Sequence, residues 1–260
     1  MERIYRVARG GETFFVSEQD GRVHRLQLRG NTIFDGYEPG ETVSGGLAGC
    51  LVLAPVRPSK LVCVGLNYKD HAAEMKKPLP PEPMLFLKPS TTVCDPGASV
   101  LLPPGVGRVD YESELAIVIG RHAHRVPRGR AGDYIFGITG VNDVTARDIQ
   151  HREIQYTRAK GFDTFAPIGP CIARGFSLDQ IGQCGVEGWV NGECRQKSTT
   201  AQLIFPIDFL IEYISFVMTL EPGDVISTGT PSGVGSLQAG DVFTVKIEGV
   251  GELTNPIRDE

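Results

Sequence analysis

The sequence predicts an α+β fold that is predominantly β, with a small N-terminal β domain followed by a larger domain. The 260 residues include 32 glycines and 18 prolines, which interrupt the chain at short intervals. The apolar runs between these interruptions have the length of strands, and only one segment has the spacing of a strongly amphipathic helix. Hydrophobic residues make up 41% and charged residues 22% of the chain, which is typical of an ordinary globular protein.

The composition also excludes several classes of function. The formal net charge is -5, so the chain has no basic field that would attract nucleic acid. No run approaches the ~18 apolar residues of a membrane span, and the first residues, MERIYRVARG, lack the apolar core of a signal peptide. We therefore expect a cytoplasmic protein without a nucleic-acid or membrane partner. The six cysteines form no CxxC pair, which disfavours a zinc ribbon and favours reduced, mostly buried thiols.

The first 55 residues predict the small β domain. The runs IYRVA, ETFFVSE and RVHRLQL are separated by Gly10-Gly11 and by Asp20-Gly21, and Asp-Gly is a strong hairpin signal. Two prolines, Pro55 and Pro58, then interrupt the chain. We assign residues 1–55 to this domain and residues 56–260 to the larger one.

Strands and short polar segments alternate in the next part of the chain. KLVCVGLNY is typical of a buried strand, and DHAAEMKK can form one or two helical turns, with Asn67 as a possible cap. The proline-rich segment PLPPEP cannot continue that helix. Three further strands follow in MLFLKPS, VDYESELAIVIG and GDYIFGITGVND.

Two helices are expected in the second half. Thr145 and Asp148 have the spacing of a capping box, which predicts one helix over ARDIQHREIQYTRA. The other helix follows Pro206, where apolar residues recur on one helical face: Ile207, Leu210, Ile211, Ile214 and Val217. EPGDVISTG and AGDVFTVKIEG then return the chain to strands.

Two glutamates, Glu112 and Glu114, stand where a strand enters the core. Residues two apart in a strand point to the same face, about 7 Å apart at the backbone, so two ionised carboxylates there repel unless a cation lies between them. Asp143, at the end of ITGVND, could supply a third oxygen ligand from a neighbouring strand. Three carboxylates suit Mg²⁺ or Mn²⁺. The alternative is that both glutamates face solvent on an edge strand and pair with lysines.

Seven motifs, in order, resemble the fumarylacetoacetate hydrolase family: GLNYKDHAAEM, FLKPST, DYESELAIVIG, GITGVNDVTARDIQ, KGFDTFAPIGP, VNGE and GDVISTGTPSGVG. The resemblance implies that the domain over residues 56–260 is catalytic and folds as a mixed β-sandwich roll. It also implies a homodimer that acts on small 2-oxo or 2,4-dioxo acids with Mg²⁺ or Mn²⁺. Position by position, it makes Glu112, Glu114 and Asp143 the metal ligands.

The same resemblance places further residues at the site. Lys160 of AKGFD would lie beside the metal, where its ammonium can stabilise an oxyanion or enolate. Arg147 and Gln150 are three apart, hence on one helical face. Gln150 would hydrogen-bond the substrate, and Arg147 would orient a carboxylate or brace a ligand, unless it is an ordinary surface residue. The loop TGTPSG could hold a carboxylate through its backbone N–H groups and the Thr230 hydroxyl.

His71 and Glu74 are separated by three residues, so the carboxylate can meet the imidazole on one helical turn. Such a pair fixes the tautomer of the ring and prepares His71 to accept a proton. The resemblance places the pair on a segment that closes over bound substrate; an exposed histidine with a casual partner is the alternative. His122 and His124 are expected in a solvated loop, and Lys88 is expected to border the pocket.

We therefore expect a divalent-metal-dependent hydrolase that cleaves a carbon–carbon bond in a 2,4-dioxo acid of acylpyruvate type. His71 would activate water, and cleavage would release a pyruvate enolate held by the metal and Lys160. Isomerisation or decarboxylation of 2-hydroxymuconate-type diacids, or decarboxylation of oxaloacetate, are alternatives because they share the enolate. A non-catalytic binding homologue is the third alternative.

Overall fold

Most of the regular structure in the computed structural model, which describes all 260 residues, is β. The strands are β1 (Glu2–Arg9), β2 (Glu12–Gln19), β3 (Arg22–Leu28), β4 (Tyr37–Thr42), β5 (Leu51–Leu53), β6 (Leu61–Gly65), β7 (Met84–Lys88), β8 (Val93–Cys94), β9 (Val100–Leu102), β10 (Val109–Tyr111), β11 (Ser113–Ile119), β12 (Ile135–Asn142), β13 (Thr145–Ala146), β14 (Ala166–Arg174), β15 (Gly185–Val190), β16 (Glu193–Thr199), β17 (Val225–Ser227), β18 (Gly235–Leu237), β19 (Val242–Ile247) and β20 (Gly251–Asp259). The α-helices are α1 (Lys69–Glu74), α2 (Arg147–Arg152), α3 (Thr157–Lys160), α4 (Leu178–Ile181) and α5 (Ile207–Val217). Short 3-10 helices cover Ile33–Asp35, Ser90–Thr92, Arg128–Tyr134 and Thr200–Gln202. The predicted α+β, predominantly β fold is confirmed.

The strands form one large sheet and two smaller ones. The large sheet has twelve strands in the order β4-β3-β2-β1-β14-β12-β11-β17-β6-β7, with β5 paired to β1 and β8 paired to β14. It is mixed, because β17 runs parallel to β6 while β11 and β12 are antiparallel. The five-stranded sheet β16-β15-β19-β20-β9 packs against β11, β12 and β14, and β13-β10-β18 form the third sheet.

Strand β11 lies at the centre of this packing, and all seven of its residues are buried. Leu115 and Ile117 belong to the larger hydrophobic core, whereas Ala116 and Val118 belong to a second core on the opposite face. An apolar run without alternation is typical of a strand that is covered on both faces. The acidic residues at the start of this strand are therefore carried into the interior.

The N-terminal hairpins follow the glycine pattern of the sequence. Asp20 and Gly21 have φ values of 50° and 74°, which join β2 to β3 in the tight turn that Asp-Gly favours. Strand β1 pairs with β14, so the N-terminal strands extend the large sheet. The division of the chain at residue 55 stays a prediction.

Two sequence-based expectations about helix caps were wrong. Thr145 lies in β13 and donates its hydroxyl to the Asp143 carbonyl, while Asp148 accepts from the Arg108 amide, so they form no capping box. Asn67 does not cap α1, because its amide nitrogen donates to the carbonyls of Phe205 and Thr228. Asp148 and Asn67 thus tie distant segments together instead of closing a helix end, and Thr145 bonds locally within its own turn.

The single helix predicted over residues 146–159 is also wrong, since the chain forms α2 and α3 with a break at residues 153–156. Glu153 is extended at φ -111° and ψ 145°. The apolar stripe of this segment is thin, and a helix without a broad buried face gains little from packing. The break turns Tyr156 onto the ring of Phe86, with ring centroids 5.5 Å apart.

Helix α5 forms where the sequence pattern predicts it, and Ile207, Leu210, Ile211 and Ile214 are buried against the larger core. Val217, the last residue of the predicted apolar face, is exposed at the end of the helix. No helix combines the length and the apolar character needed to cross a membrane. Four of the six cysteines are buried and none is paired, as the spacing predicted.

Candidate active site and metal centre

Three carboxylates meet where β11 begins and β12 ends. Glu112 precedes β11, Glu114 lies within it, and Asp143 follows β12, whose residue Asn142 pairs with Ser113. The Asp143 amide donates to the Glu112 carbonyl at 2.9 Å, which fixes the two ends together. One oxygen of each carboxylate lies within 4.8 Å of the others, and all three residues are buried. We call Glu112, Glu114 and Asp143 the acidic triad.

Burial of the triad removes the alternative of a solvent-facing edge strand. The exposed fractions of Glu112 and Glu114 are 6% and 2%. Two lysines do pair with the triad, but inside the protein. Lys160 Nζ lies 2.8 Å from Glu112 Oε2 and 2.7 Å from Asp143 Oδ2. Lys88 Nζ donates to Asp143 Oδ1 at 2.6 Å and to the Val144 carbonyl.

The location of Lys88 differs from the expectation that it borders the pocket. Its side chain has no exposed surface and lies behind Asp143, outside the cavity described below. Phe86, two residues before Lys88 in β7, does line the cavity. Lys160 Nζ lies 4.9 Å from the centroid of the Phe86 ring. Lys88 therefore fixes Oδ1 of Asp143, while Oδ2 is directed at Lys160.

The pKa values of Glu112 and Glu114 are shifted in opposite directions because their partners differ. Burial and then the negative charges of Asp143 and Glu112 raise the pKa of Glu114 to about 8. Its Oε2 accepts from the Ser227 hydroxyl at 2.6 Å and from the Gly229 amide at 2.8 Å, and it has no cationic partner. Burial also acts on Glu112, but the charges of Lys160 and Arg147 outweigh it and lower the pKa of Glu112 to about 2.

This donor set fits a hard divalent cation. Buried carboxylates that repel each other are costly unless a cation compensates them, and Mg²⁺ and Mn²⁺ prefer carboxylate oxygens. Burial and the charges of its acidic neighbours raise the pKa of Glu114, so a bound cation would stabilise the ionised form of Glu114. The triad could therefore hold a divalent ion between β11 and the end of β12.

Arg147 and Gln150 lie on one face of α2, as their spacing predicted. Arg147 donates through Nε to Asp110, through Nη1 to Gln150 Oε1 at 2.6 Å, and through Nη2 to Glu112 Oε1 at 2.5 Å. These bonds brace a member of the triad, which was one of the two roles considered for Arg147. The oxygen of Gln150 is occupied by Arg147, so its NH₂ group is the free donor toward the cavity.

Several donors of the loop at residues 228–233 already have partners within the protein, and the expectation that the loop holds a carboxylate of the substrate stays a prediction. The amide of Gly229 donates to Glu114, and the amide of Gly233 donates to Glu74 at 3.1 Å. The Thr230 hydroxyl donates to the Ser113 carbonyl and accepts from Gln196. The loop thus holds two carboxylates of the protein itself.

His71 and Glu74 form the predicted pair. His71 Nδ1 lies 3.0 Å from Glu74 Oε2, and the side chain of His71 is largely buried while that of Glu74 is half exposed. Gly233 cannot carry a side chain here, because φ is 94° and a Cβ would lie 2.1 Å from the Arg195 carbonyl oxygen. The Gly233 amide, which donates to Glu74, holds the His71–Glu74 pair against the loop. His122 and His124, expected in a solvated loop, contact Glu221 and Thr219 outside the cavity.

Nine of the residues that the sequence assigned to the site line one cavity of about 680 Å³: His71, Glu74, Glu112, Glu114, Asp143, Arg147, Gln150, Lys160 and Thr230. Its apolar wall includes Met75, Met84, Phe86, Tyr156 and Val234. The cavity combines three carboxylates that could hold a cation, a general-base candidate and hydrogen-bond donors, which is the arrangement of an enzyme active site.

Residues 60–258 match the family model described as fumarylacetoacetate (FAA) hydrolase C-terminal. The chain belongs to the fumarylacetoacetate hydrolase family. Membership makes this chain part of an enzyme family and agrees with the resemblance carried by the seven sequence motifs.

Relatives within the fumarylacetoacetate hydrolase family are named for several activities. A solved structure of 5-carboxymethyl-2-hydroxymuconate delta-isomerase from Mycobacterium smegmatis is 41% identical, with a TM-score of 0.87 and 99% coverage of both chains. A 2-hydroxyhepta-2,4-diene-1,7-dioate isomerase from Mycobacterium marinum is 38% identical, with a TM-score of 0.88, covering 100% of this chain and 99% of its own. The oxaloacetate tautomerase YisK of Bacillus subtilis is 44% identical over 78% of this chain and 72% of its own length.

Sequence reasoning missed the residues that support the acidic triad from other strands. Ser227 in β17 donates to Glu114, and Gln196 in β16 is fully buried, accepting from the Ser113 amide and donating to Thr230. These partners are separated by 113, 83 and 34 residues, so no local spacing connects them. Ser227 could have been noticed as the polar end of the apolar strand VIS, but Gln196 lies in the polar strand ECRQKST and carries no such signal.

Proposed function

We propose that this protein binds Mg²⁺ or Mn²⁺ at the acidic triad and cleaves a carbon–carbon bond in a 2,4-dioxo acid of acylpyruvate type. The observation that carries the proposal is one cavity lined both by the triad and by the His71–Glu74 pair. A bound divalent ion would supply Lewis-acid polarisation of a 2-oxo group. We also propose a cytoplasmic homodimer, which light scattering of the purified protein and cell fractionation test.

His71 is suited to act as the general base. The carboxylate of Glu74 can only accept, so the proton between the two residues belongs to His71 Nδ1, and Nε2 carries the lone pair. Nε2 can take a proton from a water molecule that attacks the 4-oxo carbon. The bond between carbons 3 and 4 then breaks, and the proton passes to carbon 3 of the departing enolate, which becomes pyruvate.

Lys160 is suited to stabilise negative charge on the substrate. An ammonium has three N–H donors, and two of those on Lys160 are directed at Glu112 and Asp143. Burial would lower the pKa of Lys160, but the charges of Asp143 and Glu112 outweigh it and hold the pKa above its ordinary value. The residue stays charged, with one donor left for an enolate oxygen.

A second candidate is tautomerisation, isomerisation or decarboxylation of a 2-oxo or 2-hydroxymuconate-type acid. The relatives favour it, since they include an oxaloacetate tautomerase and two isomerases of unsaturated diacids. These reactions need a proton carrier and a group that stabilises an enolate, which His71 and Lys160 can supply without attack by water.

The two candidates are separated by turnover of fumarylpyruvate, oxaloacetate and a 2-hydroxymuconate by the Mn²⁺-loaded protein. We expect kcat/KM to be highest for fumarylpyruvate, an acylpyruvate with two carboxylates, which would yield pyruvate and fumarate. A higher kcat/KM for either other substrate would replace hydrolysis by the second candidate. Wild-type turnover of these acids in a metal-depleted buffer would refute both.

A further inference from the structure

Lys77 lies at the cavity and has no acidic partner. Its side chain lines the cavity and is exposed, and its ammonium forms no ion pair within the chain. Arg108, in the same cavity, is instead bonded to Asp110. The free cation therefore belongs to the segment that follows α1, on the wall that also carries Met75 and Pro80.

The backbone of Lys77 is fixed to the helix that carries His71 and Glu74. The Lys77 amide donates to the Ala72 carbonyl at 3.0 Å and the Lys76 amide donates to the Ala73 carbonyl at 3.1 Å. Lys76 has a φ of 52°, so the helix ends in a Schellman motif with a lysine at its left-handed position. A ligand that binds the Lys77 side chain is thereby linked to the position of α1.

The charge of the site leaves room for a dianion. When the acidic triad is fully ionised, its three negative charges are matched by Lys88, Lys160 and Arg147. The remaining charged groups of the cavity, Glu74 and Asp110 against Arg108 and Lys77, also cancel. A divalent ion then leaves a surplus of two positive charges. A 2-oxo monoacid offsets one of them, whereas a diacid offsets both.

We propose that Lys77 is a specificity-determining residue that binds the second carboxylate of a 2-oxo diacid, at the end remote from the acidic triad. This inference rests on the proposed binding of a 2-oxo acid at a metal-loaded triad. The contact of Lys77 with the remote carboxylate selects diacids over monoacids. Because Lys77 is tied to α1, the same contact holds His71 over the bound substrate.

The test compares the binding of 2-oxoglutarate and 2-oxopentanoate, which have the same number of carbons and differ in the terminal carboxylate. Isothermal titration of the Mn²⁺-loaded protein measures both affinities without requiring turnover. We expect 2-oxoglutarate to bind about tenfold more tightly, as for one partly exposed charge-assisted contact. Lys77→Gln should abolish this preference, and Lys77→Arg should retain it.

The matched control is Lys76→Gln. It removes the same positive charge from the preceding residue, whose side chain does not line the cavity. It should preserve the wild-type preference for the diacid. Equal binding of the two acids to the wild type would overturn the proposal, as would an unchanged preference in Lys77→Gln or an equal loss in Lys76→Gln.

The outcome is distinguishable from that of the proposed reaction. A protein that prefers the diacid through Lys77 but cleaves no acylpyruvate refutes the hydrolase and supports the role of Lys77. A protein that cleaves fumarylpyruvate and binds both 2-oxo acids equally supports the hydrolase and refutes the role of Lys77.

Discussion

Replacement of Glu114 by glutamine should change the pH dependence of stability in the metal-free protein. The folded protein holds the pKa of Glu114 at about 8, against an ordinary value of 4.5. Between these two values the folded protein keeps a proton that the unfolded chain has lost. The free energy of unfolding therefore falls as pH rises through this window.

The size of the effect follows from proton linkage. One proton of difference between the folded and unfolded states costs about 1.4 kcal/mol of stability per pH unit. From about pH 5 to about pH 7.5, Glu114 alone should remove about 3 kcal/mol. A glutamine oxygen can still accept from Ser227 and Gly229, so Glu114→Gln removes the titration while it keeps both hydrogen bonds.

Urea denaturation in the presence of a chelator, at a series of pH values, measures the difference between wild type and variant. Glu114→Gln should become more stable relative to wild type as pH rises. Glu112→Gln is the matched control with the opposite sign, because Lys160 and Arg147 hold the pKa of Glu112 at about 2 and its loss should destabilise the protein at neutral pH. If the stabilities of wild type and Glu114→Gln stay parallel across the range, Glu114 is not held neutral and the electrostatic account of the triad is wrong.

Three further predictions concern the same cavity. Mn²⁺ binding at about pH 6.5 should release close to one proton from Glu114, seen as calorimetric heats that depend on the buffer's ionisation enthalpy; equal heats in all buffers would contradict this. His71→Gln should lower kcat by about 10²- to 10⁴-fold and leave Mn²⁺ affinity unchanged, while His122→Gln, outside the cavity, should retain wild-type activity; activity of His71→Gln equal to that of wild type would remove it as the base. Lys88→Met leaves one oxygen of buried Asp143 without its cation and should lower the free energy of unfolding by about 3–5 kcal/mol, measured by urea denaturation; wild-type stability would show that Lys88 is dispensable.

The sequence was informative where local spacing decides the structure. Glu112 and Glu114 could be paired by the two-residue period of a strand, and Arg147 with Gln150 and His71 with Glu74 by the spacing of one helical turn. Asp143 could be placed with them because it ends a neighbouring apolar strand. The buried strands and helix α5 followed from their apolar patterns for the same reason.

The rest depends on contacts between distant segments. Lys88 pairs with Asp143 although β7 lies four strands from β12 along the sheet, because β8, a few residues after Lys88, pairs with β14 beside β12. No local pattern encodes that arrangement. Thr145 and Asp148 have the spacing of a cap, yet tertiary partners take both side chains. Two amides of the loop at residues 228–233, those of Gly229 and Gly233, bind Glu114 and Glu74, which lie far away in the sequence.

Direct titration of the metal-depleted protein with Mn²⁺, followed by the loss of the free-ion electron paramagnetic resonance signal, tests the central claim that the acidic triad is a cation site. The account predicts one bound ion per chain in the wild type and an affinity at least about 100-fold weaker in Asp143→Asn, which removes one of the three carboxylates. A wild type that binds no Mn²⁺, or an Asp143→Asn variant that binds it as tightly, would contradict the claim.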